Sequence, residues 1–157
     1  MIILGIDPGT RRMGYGLIKK TGKKIELVDA GLIKINSTDD LGALLEIKNG
    51  VSSILAKNKP AILAIEKLFF MKNQKTGIRV AEARGVVLSL AVEAGITVQE
   101  FSPSEVKLSL TGYGSADKKA VLKMVKLILK TPELDVIDDA SDALALAIIS
   151  ADRNIEQ

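Results

Sequence analysis

The sequence predicts an α/β fold in which a mixed five-stranded sheet carries helices on both faces. Two observations support this prediction. Residues 2–6 and residues 61–65 are wholly apolar without alternation, as in strands that are buried on both faces. Segments with the apolar spacing of helices lie between and after these strands. We expect a single domain over residues 1–157, a length that is sufficient for one hydrophobic core.

The first three elements are predicted to form an antiparallel meander. The strand of residues 2–6 ends at Asp7, because the proline that follows favours an extended conformation in the residue before it. Residues 13–19 alternate roughly and form the second strand, and a Thr-Gly turn at 21–22 leads into a third strand over residues 25–35.

Helices and further strands are predicted to alternate in the rest of the chain. A helix over residues 41–56, with Asp39 or Asp40 as its N-cap, connects the first strand to that of residues 61–65, which ends at Glu66. The remaining predicted elements are a loop at 69–75, a helix at 76–94 capped by Gly95, a strand at 96–101, a short helix from Ser102-Pro103 to about Leu110, a loop at 111–115, a basic amphipathic helix at 116–129 and a last helix from near Asp138.

The sequence contains no cysteine and no histidine, which restricts its chemistry. Disulfides, thiolate metal sites and histidine-based nucleophile systems are excluded, and a bound metal must have oxygen ligands, which favours Mg²⁺, Mn²⁺ or Ca²⁺. The lack of cysteine fits a reducing cytoplasm, where we expect the protein. No signal peptide is visible, and the apolar runs are far shorter than a membrane span, so we expect no membrane insertion.

Charge is distributed unevenly along the chain. Residues 67–130 contain eleven basic against five acidic residues, whereas residues 131–157 contain one basic against seven acidic residues. A basic middle beside an acidic end is typical of a polyanion-binding surface next to a cation pocket. Ordinary surface charge is the alternative interpretation.

Four carboxylates are candidates for that cation pocket. Asp7 and Glu66 end two strands that, if parallel, place both acids at the sheet edge where ligands bind. Asp139 and Asp142 share one face of a helix whose small residues allow close approach to the sheet. Such a cluster is tolerable only with bound cations or protons. Two Mg²⁺ ions there would suit phosphodiester hydrolysis, one activating the attacking water and the other stabilising the leaving 3′-oxygen.

Each acid also has an ordinary structural explanation. Asp7 precedes Pro-Gly and can be a turn residue, Glu66 can be a solvated strand end, and Asp138 or Asp139 can be a helix N-cap. Asp138 also lies one turn before Asp142, so it is an alternative to Asp139 in the pair. The joint pattern of two buried strands and one small-residue helix favours the pocket.

Short motifs along nearly the whole chain match one known family in order and spacing. They are Gly5-Ile6-Asp7-Pro8-Gly9-Thr10 with Gly14 and Gly16, Ile65-Glu66 with Phe69, Ala83-Arg84-Gly85, Pro103-Ser104-Glu105-Val106-Lys107, Gly112-x-Gly114-Ser115-Ala116-Asp117-Lys118, and Asp139-Ala140-Ser141-Asp142-Ala143-Leu144-Ala145. In these motifs the chain resembles the RuvC family of bacterial Holliday-junction resolvases, which have the RNase H-like fold.

The resemblance implies a homodimer that makes two symmetric nicks across a four-way DNA junction and leaves 5′-phosphates. It implies dimer contact through the helix of residues 76–94, whose small residues permit close helix approach, although burial against its own sheet is an equally ordinary use of them. It also allows a complex with a branch-migration helicase. It also implies two Mg²⁺ per active site, replaceable by Mn²⁺. The ligands that it assigns to them are Asp7, Glu66, Asp139 and Asp142. Some relatives have histidine in this cluster, so an all-carboxylate version is implied here.

The resemblance also assigns residues to DNA contact and catalysis. Lys107 and Lys118 are placed near the scissile phosphate, where a fixed cation favours the charge of the transition state. A solvated contact with a phosphate, or ordinary surface charge, is the alternative for both lysines. Phe69 matches an aromatic residue that the family inserts at the junction centre, and Phe70 shares or takes that role; core packing is the alternative for both. Expected DNA contacts at basic residues are Lys72, Lys75, Arg79, Lys107, Lys118 and Lys119.

Three other functions are compatible with parts of the sequence. Another RNase H-like nuclease, acting on RNA or RNA–DNA hybrids, is compatible with the four acids, although the Phe69 loop and the Lys107–Lys118 region favour junctions. An actin-like sugar kinase or ATPase has a phosphate loop similar to residues 7–10, but the chain is too short for its two lobes. A junction-binding protein without cleavage is disfavoured because all four acids are present.

Overall fold

The computed structural model describes residues 1–68 and 74–153, and it has the predicted α/β architecture. Within these residues, five strands form one sheet in the order β3-β2-β1-β4-β5. The strands are β1 (Ile2–Asp7), β2 (Arg12–Thr21), β3 (Lys24–Lys34), β4 (Ile62–Glu66) and β5 (Thr97–Phe101). The helices are α1 (Asp40–Asn58), α2 (Gln74–Glu93), α3 (Pro103–Thr111), α4 (Lys118–Leu129) and α5 (Asp138–Arg153).

The sheet is mixed, as predicted. β1, β2 and β3 pair antiparallel and form the expected meander. β4 and β5 extend it in parallel, with Ile6 of β1 level with Ile65 of β4. The two strands therefore end at the same edge of the sheet. The next residue along each strand is an acid, Asp7 in β1 and Glu66 in β4.

Alternation along the strands divides the core between the two faces of the sheet. Ile3 and Ile18 pack with helices α3, α4 and α5 on one face. Leu4 and Leu17 pack with helices α1 and α2 on the other face. Both faces are covered, which explains why the central strands are wholly apolar in sequence.

Three glycines allow the backbone of α5 to contact the sheet directly. A Cβ atom on Gly5 would overlap the carbonyl oxygen of Ala143, and one on Gly14 would overlap that of Asp139. A Cβ on Gly16 would lie 2.7 Å from the amide nitrogen of Leu144. The sequence predicted close approach from the small residues of α5, but the strand glycines provide the space.

Capping interactions account for most helix ends. Asp39 caps α1, as predicted, by accepting a hydrogen bond from the Gly42 amide. α4 begins at Lys118 and not at residue 116 as predicted, because the Asp117 carboxylate accepts a hydrogen bond from the Ala120 amide. α2 begins at Gln74 instead of residue 76, and Gly95 follows its end with a φ of 68°. Within the described ranges, no helix is long and apolar enough to cross a membrane.

We expect Gly5→Ala to lower the free energy of unfolding by about 1–3 kcal/mol or more, because α5 must move away from the sheet. Urea unfolding measures this change. Gly31→Ala is the matched control, since its Cβ meets only the Tyr15 side chain, at 3.1 Å, which can shift. A Gly5→Ala protein as stable as the Gly31→Ala protein would contradict the proposed packing constraint.

Candidate active site

Strand register brings Asp7 and Glu66 to the same face as well as to the same edge. Gly5 lies against α5, and Asp7, two residues on, points to the same side. Ala64 packs in the core on that side, and Glu66 is two residues beyond it. The sheet therefore directs both carboxylates towards the first turns of α5.

The close packing of α5 delivers the other two acids. Gly14 pairs with Asp7 across β1 and β2, and it also contacts the backbone of Asp139. Asp139 and Asp142 are partly buried, with side-chain exposures of 21% and 32%. The charges of both, like that of Glu66, raise the pKa of Asp7, so the four predicted acids form one electrostatic cluster.

Asp138 is less suited than Asp139 to this cluster. Its side chain is 70% exposed and lies 4.0 Å from the Lys118 ammonium. Its charge is not among the charges that raise the pKa of Asp7, whereas that of Asp139 is. The geometry thus favours Asp139 in the pair, as the family spacing does.

Burial and mutual repulsion make the cluster costly to ionise. Burial, followed by the charges of Asp142, Glu66 and Asp139, raises the pKa of Asp7 to about 7. Burial and the charge of Asp142 also raise the pKa of Glu66 above its ordinary value. Near neutral pH the cluster therefore favours protons or an external cation.

Both predicted lysines lie at this cluster. The Lys118 ammonium donates a hydrogen bond of 3.0 Å to Asp142, and this bond raises the pKa of Lys118. Lys107, on α3, is close enough for its charge to lower the pKa of Glu66, against the larger effect of burial. The cluster is thus bordered by positive charge from the middle of α3 and from the start of α4.

Two arginines for which the sequence predicted no role also contact the acidic residues. Arg12 Nε lies 2.7 Å from Asp139 Oδ2. Arg84 donates a hydrogen bond of 3.1 Å from Nε to the backbone carbonyl of Glu66, and it also pairs with Glu100. The Arg84 position lies in a matching family motif, and strand alternation from Gly14 places Arg12 on the acidic side, so both were detectable.

The chemical type of the candidate ligands suits a divalent cation such as Mg²⁺. All the candidate ligands are carboxylates. Asp139 Oδ2 is buried and accepts no hydrogen bond from any described residue, although it is ion-paired with Arg12. As the side chains lie, no three acidic groups in the described part of the chain converge closely enough to hold a metal ion. Asp139 and Asp142 are instead ion-paired with Arg12 and Lys118.

Of the other residues predicted to contact DNA, the structure describes the side chains of Arg79 and Lys119. Phe69, Phe70 and Lys72 lie outside the described residues, as does the side chain of Lys75. Arg79 lies on the α1–α2 side of the sheet, where its guanidinium is 2.9 Å from the Asp40 carboxylate. Lys119 is exposed next to Lys118.

Known proteins are similar to this chain in both sequence and fold. The family model described as "Crossover junction endodeoxyribonuclease RuvC" matches residues 3–150. A protein of that name from Roseiflexus sp. is 44% identical over 146 residues, covering 92% of this chain and 87% of the relative. Another, from Petrotoga mobilis, is 43% identical over 148 residues, covering 94% of this chain and 91% of the relative. The solved structure of T. thermophilus RuvC in complex with Holliday junction substrate is 31% identical, with a TM-score of 0.91 over 99% of this chain and 96% of that one.

The raised pKa of Asp7 predicts a specific pH dependence of stability in the absence of divalent cations. The pKa is about 7 in the folded protein against an ordinary value of 3.8, so protonation stabilises the fold. This stability is present below pH 4 and is lost as the pH rises through 7. We expect Asp7→Asn to match the wild type at pH 4 and to exceed its free energy of unfolding by about 1–3 kcal/mol at pH 8.

Urea unfolding at both pH values, with chelator present, measures the difference. Asp138→Asn, at the exposed acid, serves as the control and should track the wild type. Equal stability of the Asp7→Asn and wild-type proteins at pH 8 would contradict the repulsive cluster.

Proposed function

The chain belongs to the RuvC family of crossover junction endodeoxyribonucleases, and from this membership and its acidic cluster we propose that it resolves Holliday junctions by paired, symmetric nicks in DNA recombination and repair. The proposal includes 5′-phosphate products, action in the cytoplasm and one nuclease domain over residues 1–157. The observation that carries it is the placement of Asp7 among the charges of three other carboxylates, where burial, followed by these charges, raises the pKa of Asp7 to about 7.

Asp7, Glu66, Asp139 and Asp142 are the proposed ligands of two Mg²⁺ ions, which Mn²⁺ can replace. When bound, the ions would activate the attacking water and stabilise the leaving 3′-oxygen. The raised pKa values of Asp7 and Glu66 support this assignment, because each indicates a shortage of positive charge in the pocket.

The protein's own cations have separate proposed roles. Lys118 and Lys107 border the acids from α4 and α3, and they are proposed to contact the scissile phosphate, where a fixed positive charge stabilises the developing negative charge. Arg84 is proposed to position Glu66, because it holds the backbone carbonyl of that residue. Proposed contacts with the junction outside the pocket are Phe69, Phe70, Lys72, Lys75, Arg79 and Lys119.

Two features of Arg79 and the aromatic pair bear on those contacts. Arg79 is ion-paired with Asp40, so its guanidinium must leave this partner or share it to reach a phosphate. The stacking of Phe69 or Phe70 on junction bases stays a prediction, and both residues lie outside the described ranges.

A homodimer with contact through residues 76–94 is part of the proposal, because two-fold symmetry would match paired nicks. Two small residues of α2, Ala83 and Ala91, are buried in the protein's own core. Its exposed face offers small and apolar side chains for a second copy, namely Ile78, Ala81, Gly85 and Val92. A complex with a branch-migration helicase is a further proposal that rests on the family alone.

We expect Asp7→Asn to bind four-way junctions but not to cleave them, because it removes a ligand without removing the surrounding basic residues. The measurement uses three labelled substrates with Mg²⁺: a mobile four-way junction, linear duplex and an RNA–DNA hybrid. Normal junction cleavage by Asp7→Asn would reject the assignment of Asp7. Preferential cleavage of the hybrid by the wild type would favour the other candidate, an RNase H-like nuclease for RNA.

Asp139→Asn and Asp138→Asn distinguish the two candidates at the start of α5. We expect Asp139→Asn to lower junction cleavage by about tenfold to a hundredfold or more. Losses of this size are typical of residues that only hydrogen-bond to a metal ligand, and a ligand itself should cost at least as much. The exposed Asp138 should be replaceable with little effect. Single-turnover cleavage rates give the comparison, and the opposite order would assign Asp138 to the pocket.

A further inference from the structure

A row of lysines on α4 lies outside the acidic cluster. We call it the basic stripe, and it consists of Lys119, Lys123, Lys126 and Lys130. With about 100° between successive helical residues, these four fall within roughly 60° around the helix axis. The opposite side of the helix is buried through Val121, Val125 and Leu129. The four lysines therefore form one line on the outer surface.

No acidic residue in the described ranges forms an ion pair with any lysine of the stripe. Lys118, the first residue of α4, differs because it pairs with Asp142 and Asp138. Like charges three and four residues apart destabilise a helix. The helix dipole favours Lys126 in the last turn, but no acidic side chain in the described ranges neutralises the line. An external polyanion would neutralise it.

The position of the stripe relates it to the cluster. Lys118 contacts Asp142, and the stripe begins with the next residue, so it leads away from the acids. From residue 119 to residue 130 the helix axis advances roughly 16 Å, which corresponds to about five steps of a DNA duplex. At the far end, Lys130 shares a groove with Lys23, Lys24 and Glu26 near the β2–β3 turn. Lys24 is ion-paired with Glu26, so in this groove Lys23 is the lysine that adds positive charge to that of Lys130.

We propose that the basic stripe binds the phosphate backbone of the duplex arm that leads away from the cleavage site. This inference rests on the proposed function and adds a surface for the arm. A duplex backbone fits because it is itself a line of negative charge, and lysines act on phosphates as point charges. The exposed Leu127 beside the stripe would suit an acidic protein partner instead, but the four aligned charges favour a nucleic acid backbone.

The test compares two triple variants of the full chain. One is Lys123→Gln/Lys126→Gln/Lys130→Gln in the stripe. The matched control is Lys48→Gln/Lys57→Gln/Lys59→Gln on and after α1, which lies on the other face of the sheet. Both sets remove three exposed or partly exposed lysines, and both include a helix C-cap with positive φ, Lys130 or Lys59. Urea unfolding midpoints establish that each variant is folded.

The readouts are junction affinity between about 50 and 200 mM salt and cleavage at saturating junction. We expect the stripe variant to reduce the slope of log affinity against log salt by about three, or about one per lysine, and the α1 variant to leave it unchanged. The single-turnover cleavage rate at saturation should stay within about twofold of the wild type for both variants, because neither set touches the acids.

Arm length provides a second readout. Wild-type affinity should rise as the arm beyond the cleavage site is lengthened up to about five base pairs, the reach of the stripe, and then level off; the stripe variant should lose this gain. A stripe variant with the salt slope and arm-length response of the α1 variant would overturn the proposal, and an acidic protein would then be the better partner. If wild-type protein does not prefer junctions to duplex, the proposed function fails first and the arm assignment fails with it.

Discussion

Direct backbone contact between α5 and the central strands is the constraint on which the candidate site depends. Gly5 and Gly14 have no side chains at the points where α5 crosses β1 and β2, so the helix can approach until its carbonyl oxygens meet the strands. This approach brings Asp139 and Asp142 to the edge where β1 and β4 end. A larger residue at either glycine would separate the helical acids from Asp7 and Glu66. The contacts that pack α5 against the sheet therefore also position the candidate ligands.

The resulting cluster is electrostatically unfavourable until a cation arrives. Burial, followed by repulsion between the carboxylates, raises the pKa values of Asp7 and Glu66. Lys118 and Arg12 relieve part of it by pairing with the α5 acids. A shortage of positive charge would favour the proposed metal ions and also makes the site costly to fold, so both would have the same origin.

The basic residues around the cluster divide into two groups. Lys118, Lys107 and Arg12 are held at the acids, where their charges act on specific carboxylates. The lysines further along α4 have no such partners in the described chain and face outwards. This arrangement separates local charge balance at the pocket from a longer surface that suits an extended polyanion.

The sequence by itself determined the order and type of the elements, the strand ends at Asp7 and Glu66, and the helical spacing of Asp139 and Asp142. These follow from local patterns: two-face-buried strands are wholly apolar, and Asp39 caps the helix that it precedes. Only the tertiary structure decided that Asp139 and not Asp138 faces Asp7, that Arg79 pairs with Asp40, and that Arg12 and Arg84 contact the acidic residues. The physical reason is that strand pairing and the approach of α5 set these contacts between residues far apart in the chain, and no local pattern specifies the distance between two packed surfaces.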